Sequence, residues 1–203
     1  MVKMNNYFLL SAKTPSKQVA SAFAPKGIKL NHELIKELEG IHDLPFEFNL
    51  FKLTLTKNGL VEDTNLYGLK NIWRDYQPNS LAWPLFSKKM KTIIDDSLTG
   101  QEDIDWISAR VNGNNEQKIY YIPRFNKSLN VLDMENTMFV EGTDHVIIPT
   151  FSISKIINYN LFHIPSSSIL SKITHRIYVN ETLKMQLLEE KLIGIDFSIA
   201  KVV

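Results

Sequence analysis

The stretch Leu81-Ala82-Trp83-Pro84-Leu85-Phe86-Ser87-Lys88-Lys89-Met90-Lys91-Thr92-Ile93-Ile94-Asp95-Asp96 decides how the rest of the chain is read. An apolar run ends at Ser87, whose hydroxyl can accept an unpaired amide of a first helical turn. Met90, Ile93, Ile94 and Leu98 then recur at helical spacing, and Gly100 closes the helix. Ile104 to Val111 and Lys118 to Pro123 read as strands around Gly113-Asn114-Asn115, which predicts a β-hairpin over 104–123. The C-terminus uses the same grammar. Ile177-Tyr178-Val179-Asn180 leads into a helix over 181–191 with Leu183, Leu187 and Leu188 on one face, and Gly194 precedes a strand from Ile195. Ser87 and Asn180 lie 93 residues apart, and Trp106 and Phe197 lie 91 apart. Two related strand–capped-helix–strand units fit these offsets, with Trp106 and Phe197 pointing inward. Any amphipathic helix between two strands gives the same pattern, so both readings stay open.

Upstream, Tyr7 to Leu10 reads as an opening strand, and Lys13 to Lys29, with Pro15, Pro25 and Gly27, as a loop. Asn31 is placed to cap a short helix carrying Leu34, Ile35 and Leu38, which Gly40 ends. Phe46 to Leu55 is a strand whose apolar alternation slips by one at Leu50–Phe51, so a bulge or burial on both faces is expected. Asn58-Gly59 is a turn dipeptide, and a short strand is expected around Leu66 to Trp73. The fold class is α+β: a mixed, mostly antiparallel sheet built from strands at 46–55, 104–111, 117–123 and 195–200, with a few covering helices. Residues 1–203 form a single domain, an N-terminal strand, loop and helix portion over 1–80 preceding a core over 81–203.

Composition narrows the function classes. A chain of 203 residues with 44% apolar residues can bury a substantial core. Its net charge of +1 sets up no field for nucleic acid or an anionic membrane, and its arginines are Arg74, Arg110, Arg124 and Arg176. There is no cysteine, which excludes disulfides, thiolate metal sites and cysteine nucleophiles. No run is long enough for a signal-peptide core or a membrane span, so a cytoplasmic location is expected. His32, His42, His145, His163 and His175 form no helical zinc pattern, and the glycines form no phosphate loop. Asp133 and Glu135 read as turn or strand-surface acids, and most aromatic residues as core. No cofactor or metal is expected.

The succession Asp75 to Ser87 with its helix, followed by Tyr120-Tyr121-Ile122-Pro123 and Asn130-Val131-Leu132-Asp133, resembles immunity-protein families eleven and forty-three of bacterial polymorphic toxin systems. The ending is similar too: Ile177 to Asn180, a capped helix, and Leu192-Ile193-Gly194-Ile195-Asp196-Phe197. The resemblance runs from Asp75 to the C-terminus. It implies a cytosolic antidote that binds a sister cell's toxin and blocks it by occlusion, with no chemistry of its own and no catalytic residue to carry over.

The partner surface is expected where charge gathers. Asp95, Asp96, Glu102, Asp103 and Asp105 fall within eleven residues that hold no lysine or arginine. Asp95 and Asp96 also sit near a helix C-terminus, where negative charge is unfavourable unless a basic partner uses it. The competing readings are a small cytosolic hydrolase, for which Asp144-His145 or His175 with Ser171 would supply a dyad, and a small-molecule-binding α+β domain.

Overall fold

Alternation along Tyr7-Phe8-Leu9-Leu10 is missing because both faces of that strand are covered. A computed structural model describes residues 6–13, 18–57 and 59–203. In chain order its strands are β1 (Tyr7–Ala12), β2 (Gln18–Phe23), β3 (Phe48–Thr56), β4 (Gly59–Asp63), β5 (Phe86–Ser87), β6 (Ile104–Gly113), β7 (Glu116–Phe125), β8 (Met138–Phe139), β9 (Val146–Ile148), β10 (Leu161–His163), β11 (Ile177–Asn180) and β12 (Ile195–Ile199). The helices are α1 (Asn31–Glu37), α2 (Lys88–Ser97), α3 (Ile153–Ile156) and α4 (Glu181–Glu189).

The architecture is α+β and mostly antiparallel. The strands divide between two principal sheets rather than sharing one. The larger has the order β2-β3-β6-β7-β5 with β4 on β3, the smaller the order β10-β11-β1-β12, and β8 pairs with β9 apart from both. The last strand therefore joins β1, not the 104–123 hairpin, because Phe8, Leu10 and Ala12 supply its register partners. Among the described strands, β3 and β6 are the one parallel pair, at Phe48–Val111 and Asn49–Asn112.

Three apolar clusters explain the layers. Leu34, Ile35 and Leu38 of α1 pack with Phe48, Ile107 and Ile122 on one face of the larger sheet. Phe8 and Leu10 of β1 meet Phe86, Met90, Ile94, Leu183 and Leu187, which joins α2 and α4 to both sheets. On the opposite face of β1, Tyr7 lies with Phe162 and Tyr178 against Val131, Phe151 and Ile156. Phe162 and Tyr178 stack with centroids 5.6 Å apart, and Phe151 meets both edge-on.

Both helix starts follow their caps. Ser87 Oγ accepts the Met90 amide at 3.2 Å and Asn180 Oδ1 accepts the Leu183 amide at 2.9 Å. Asn114 and Asn115, at φ 52° and 60°, turn the chain from β6 into β7, a left-handed pair that asparagine tolerates well. Gly194 cannot be replaced locally: at φ +88°, a Cβ there would lie 2.9 Å from the Tyr76 carbonyl oxygen.

Three local expectations change, and at β3 one of two alternatives is selected. The expected loop over 13–29 contains β2, whose Val19, Ala20 and Ala22 are buried and whose register on β3 runs from Gln18–Thr54 to Phe23–Asn49. Leu30, not Asn31, occupies the α1 N-cap, because the Asn31 side chain instead donates to the Leu81 carbonyl at 3.2 Å. The β3 slip involves no bulge, since its register against β2 is continuous. Phe51 is half-buried, edge-on to Phe23 at 5.2 Å, on the face opposite Phe48 and Leu50. Residues 66–73 form turns rather than a strand, and the extra strand is β4; Asn58 lies outside the described residues, while Gly59 opens β4 at φ +113°.

Candidate functional site

The segment from Asp75 to Ser87 is architectural. Asp75 Oδ1 accepts the Ser87 hydroxyl at 2.6 Å and Oδ2 accepts the Ile193 amide at 2.7 Å, which ties the start of α2 to the turn before β12. Gln77, fully buried, donates to the Ala20 carbonyl at 2.7 Å and accepts the Arg74 amide at 3.0 Å. Asn79 accepts the Leu81 and Trp83 amides and donates to the Trp83 carbonyl. Each of these polar side chains satisfies backbone that would otherwise be stranded in the interior.

The acidic segment divides. Glu102 does not reach the surface: it is 0% exposed, and its carboxylate accepts the Thr99 amide and hydroxyl, the Gln101 amide and the Asn160 amide. It presents no charge to a partner, because a buried carboxylate needs those donors itself. Asp95 pairs with Lys91 one turn earlier and accepts Trp106 Nε1 at 2.6 Å. Asp105 grips the buried Arg124 guanidinium, which also donates to the Leu38 and Ile41 carbonyls. The cations missing from 95–105 in sequence come from Lys91 and Arg124. Only Asp96 and Asp103 of the five stand exposed.

A different region exposes what a partner could grip. Leu55 and Leu60 face each other across β3 and β4 and are 67% and 66% exposed; Tyr67 in the following turn is 90% exposed. β4 pairs with β3 on one side and with no strand on the other among the described residues. Tyr67, Ile72 and Trp73 line an open depression of about 840 Å³ that reaches the β6–β7 turn at Asn114 and Asn115. Sequence reading passed over this end because Asn58-Gly59 marked a turn and nothing marked Leu60 as uncovered.

The hydrolytic candidates meet at one cavity of about 380 Å³, yet without nucleophile geometry. His145, His175 and Ser171 all line it, beside Trp83 and Arg176. The Ser171 hydroxyl donates to the Ser166 and Ser168 carbonyls, at 3.2 and 2.7 Å, not to an imidazole. Asp144 accepts the Ser167 amide at 3.0 Å, and its bonds to Ser167 hold its carboxyl below the usual range. Ser168 caps the short 3-10 turn Ile169–Lys172. His163 lies buried in β10, its ring nitrogens 2.9 Å from the Ile164 carbonyl and 3.3 Å from that of Lys127. Asp133 accepts the Asn136 amide in a turn rather than facing Glu135 across a cleft. Among the described residues no three His, Asp or Glu side chains gather where a metal could be held, and no helix is long and apolar enough to cross a membrane.

These features define an α+β protein whose polar motif holds its own backbone and whose exposed apolar residues include the Leu55–Leu60 pair and Tyr67 at the β3–β4 end, with others spread over the rest of the surface. Neither models of known protein families nor curated proteins match the chain.

Proposed function

We propose that the chain is an immunity protein, which binds a cognate bacterial toxin and blocks it by occupying its surface, without catalysis. The observation that carries this reading is the cross-strand pair Leu55–Leu60 with Tyr67, all exposed on and beside the unpaired β4 edge. Leucine side chains left in water cost about 25 cal/mol for each Å² of apolar surface that association would cover, and tyrosine is a frequent energetic centre of interfaces. The residues that carry the family resemblance support it in another way: Asp75, Gln77, Asn79 and Asn180 are committed to backbone hydrogen bonds, which leaves binding to the surface between them.

Co-expression with the protein encoded beside this chain tests the reading. The expected result is a stoichiometric complex on size exclusion, together with survival of cells that the neighbouring protein alone would kill. A neighbouring protein that is harmless, or that kills cells and elutes separately, overturns it.

A further inference from the structure

The cavity beside Trp83 has a chemistry independent of any toxin. Its volume of about 380 Å³ falls within the range of small-molecule sites. Leu81, Trp83, Ile164 and Leu170 form apolar wall, while Arg176, His145 and His175 supply the polar end. No aspartate or glutamate lines it.

Arg176 is the informative residue. Its guanidinium donates to the carbonyl oxygens of Val146 at 3.0 Å and Ile147 at 3.3 Å, which fix its orientation. Carbonyl dipoles do not neutralise a cation, and among the described residues no carboxylate lies within ion-pair distance of it. Two of its five N–H groups go to those carbonyls and a further one to the Tyr178 side chain, so donors remain for a ligand oxygen. We propose that this cavity binds a small amphipathic carboxylate, its acid group against Arg176 and His175 and its apolar body against Trp83 and Leu81.

The neighbouring groups fit that polarity. Burial first, and the Arg176 charge second, hold the His175 imidazole below its ordinary value. An anion bound there opposes both effects and raises it. The serines of the rim do not compete as reactants: Ser166 Oγ accepts the Ser168 amide and Ser168 Oγ accepts the Leu170 amide, so they stiffen the loop that carries Leu170.

Calorimetric titration of the full chain with indole-3-acetate, beside the neutral indole-3-acetamide, tests the proposal. The acid binds, the amide binds at least about tenfold more weakly, and the His175 ring proton titrates at higher pH in the acid-bound protein. His175→Gln weakens the acid and leaves the amide unchanged; Arg176→Gln does so more strongly, provided its melting temperature shows that β9 remains anchored. No binding, equal binding of acid and amide, or undiminished acid binding by His175→Gln overturns the proposal. The measurement involves no toxin, so its failure and that of the binding-protein reading are separable.

Discussion

Two regions of this protein share a local plan and differ in their surroundings. In one, β5, α2 and β6 flank the antiparallel β7; in the other, β11, α4 and β12 flank the antiparallel β1. The caps stand in the same register, Ser87 opposite Tyr120 and Asn180 opposite Tyr7. Lys91 lies 5.2 Å from the Trp106 ring centroid, and Lys184 lies 5.8 Å from that of Phe197. Both tyrosine hydroxyls donate to a main-chain carbonyl, Tyr120 to Arg74 and Tyr7 to Ile156. The contexts diverge at the last strand. β6 lies inside its sheet, whereas β12 is an edge with no further strand beyond it among the described residues. Trp106 is bonded through its indole N–H to Asp95, and Phe197 has no polar anchor; both rings are half-buried rather than sealed as the sequence pattern suggests. Local sequence sets strand, cap and helix, and position in the sheet sets which neighbours each ring meets.

Substitutions that exploit this contrast should separate the two regions, most strongly at the turns that follow the helices. Glu102→Ala strips an acceptor from four part-buried donor groups, three in the turn after α2 and one at Asn160, and should cost about 3 kcal/mol in denaturant unfolding, since a buried group left without its partner costs about 1–3 kcal/mol and water reaches some of these four. Next comes the ring pair. Trp106→Ala should cost about 3 kcal/mol and Phe197→Ala about 1–2 kcal/mol, the smaller loss reflecting an edge strand with neighbours on one side and no side-chain hydrogen bond to lose. Equal losses would mean that edge position does not govern these sites.

The caps should differ less. Ser87→Ala and Asn180→Ala each remove an amide acceptor, for about 1 kcal/mol, and each also removes a second side-chain bond, to Asp75 and to Asn160 respectively, so the two losses should be similar. A clearly larger loss for one of them in urea midpoints would show that its second bond contributes more. A smaller effect concerns pH. Burial holds the His163 imidazole below its ordinary value of 6.5, so its contribution to stability is complete above that pH and is lost as the pH falls toward the folded-state value. His163→Gln should flatten the melting-temperature profile between about pH 6.5 and 5, above the range where carboxylates titrate. A profile as steep as the parent's would assign the acid sensitivity elsewhere.

The helices α2 and α4 and the 104–123 hairpin were legible in the sequence because caps, turn asparagines and apolar spacing are local signals, whereas the four-residue α3 was not read and α1 was read with the wrong cap. β2 was not, because Val19, Ala20 and Ala22 are small and lie between polar residues, and their burial depends on β3, some thirty residues away. The assignment of β12 to β1 depends on an even longer separation. The pairing within the acidic segment was hidden for the same reason: its partners, Arg124 and the Asn160 amide, are distant in sequence and adjacent in space. Leu55 and Leu60 read as ordinary strand residues, since exposure on an uncovered edge leaves no mark in periodicity.

The central claim is that the β3–β4 edge, rather than the acidic segment, holds the partner. Its direct test is the affinity of the protein encoded beside this chain for the parent, for Leu60→Lys and for the double variant Asp96→Asn with Asp103→Asn, each checked for an unchanged melting temperature. Leu60→Lys should weaken binding by at least about tenfold, as expected when a charge replaces a buried apolar contact, while the double variant alters only the association rate at low salt. A Leu60→Lys protein that binds as tightly as the parent, with the affinity lost instead in the acidic double variant, would contradict the account.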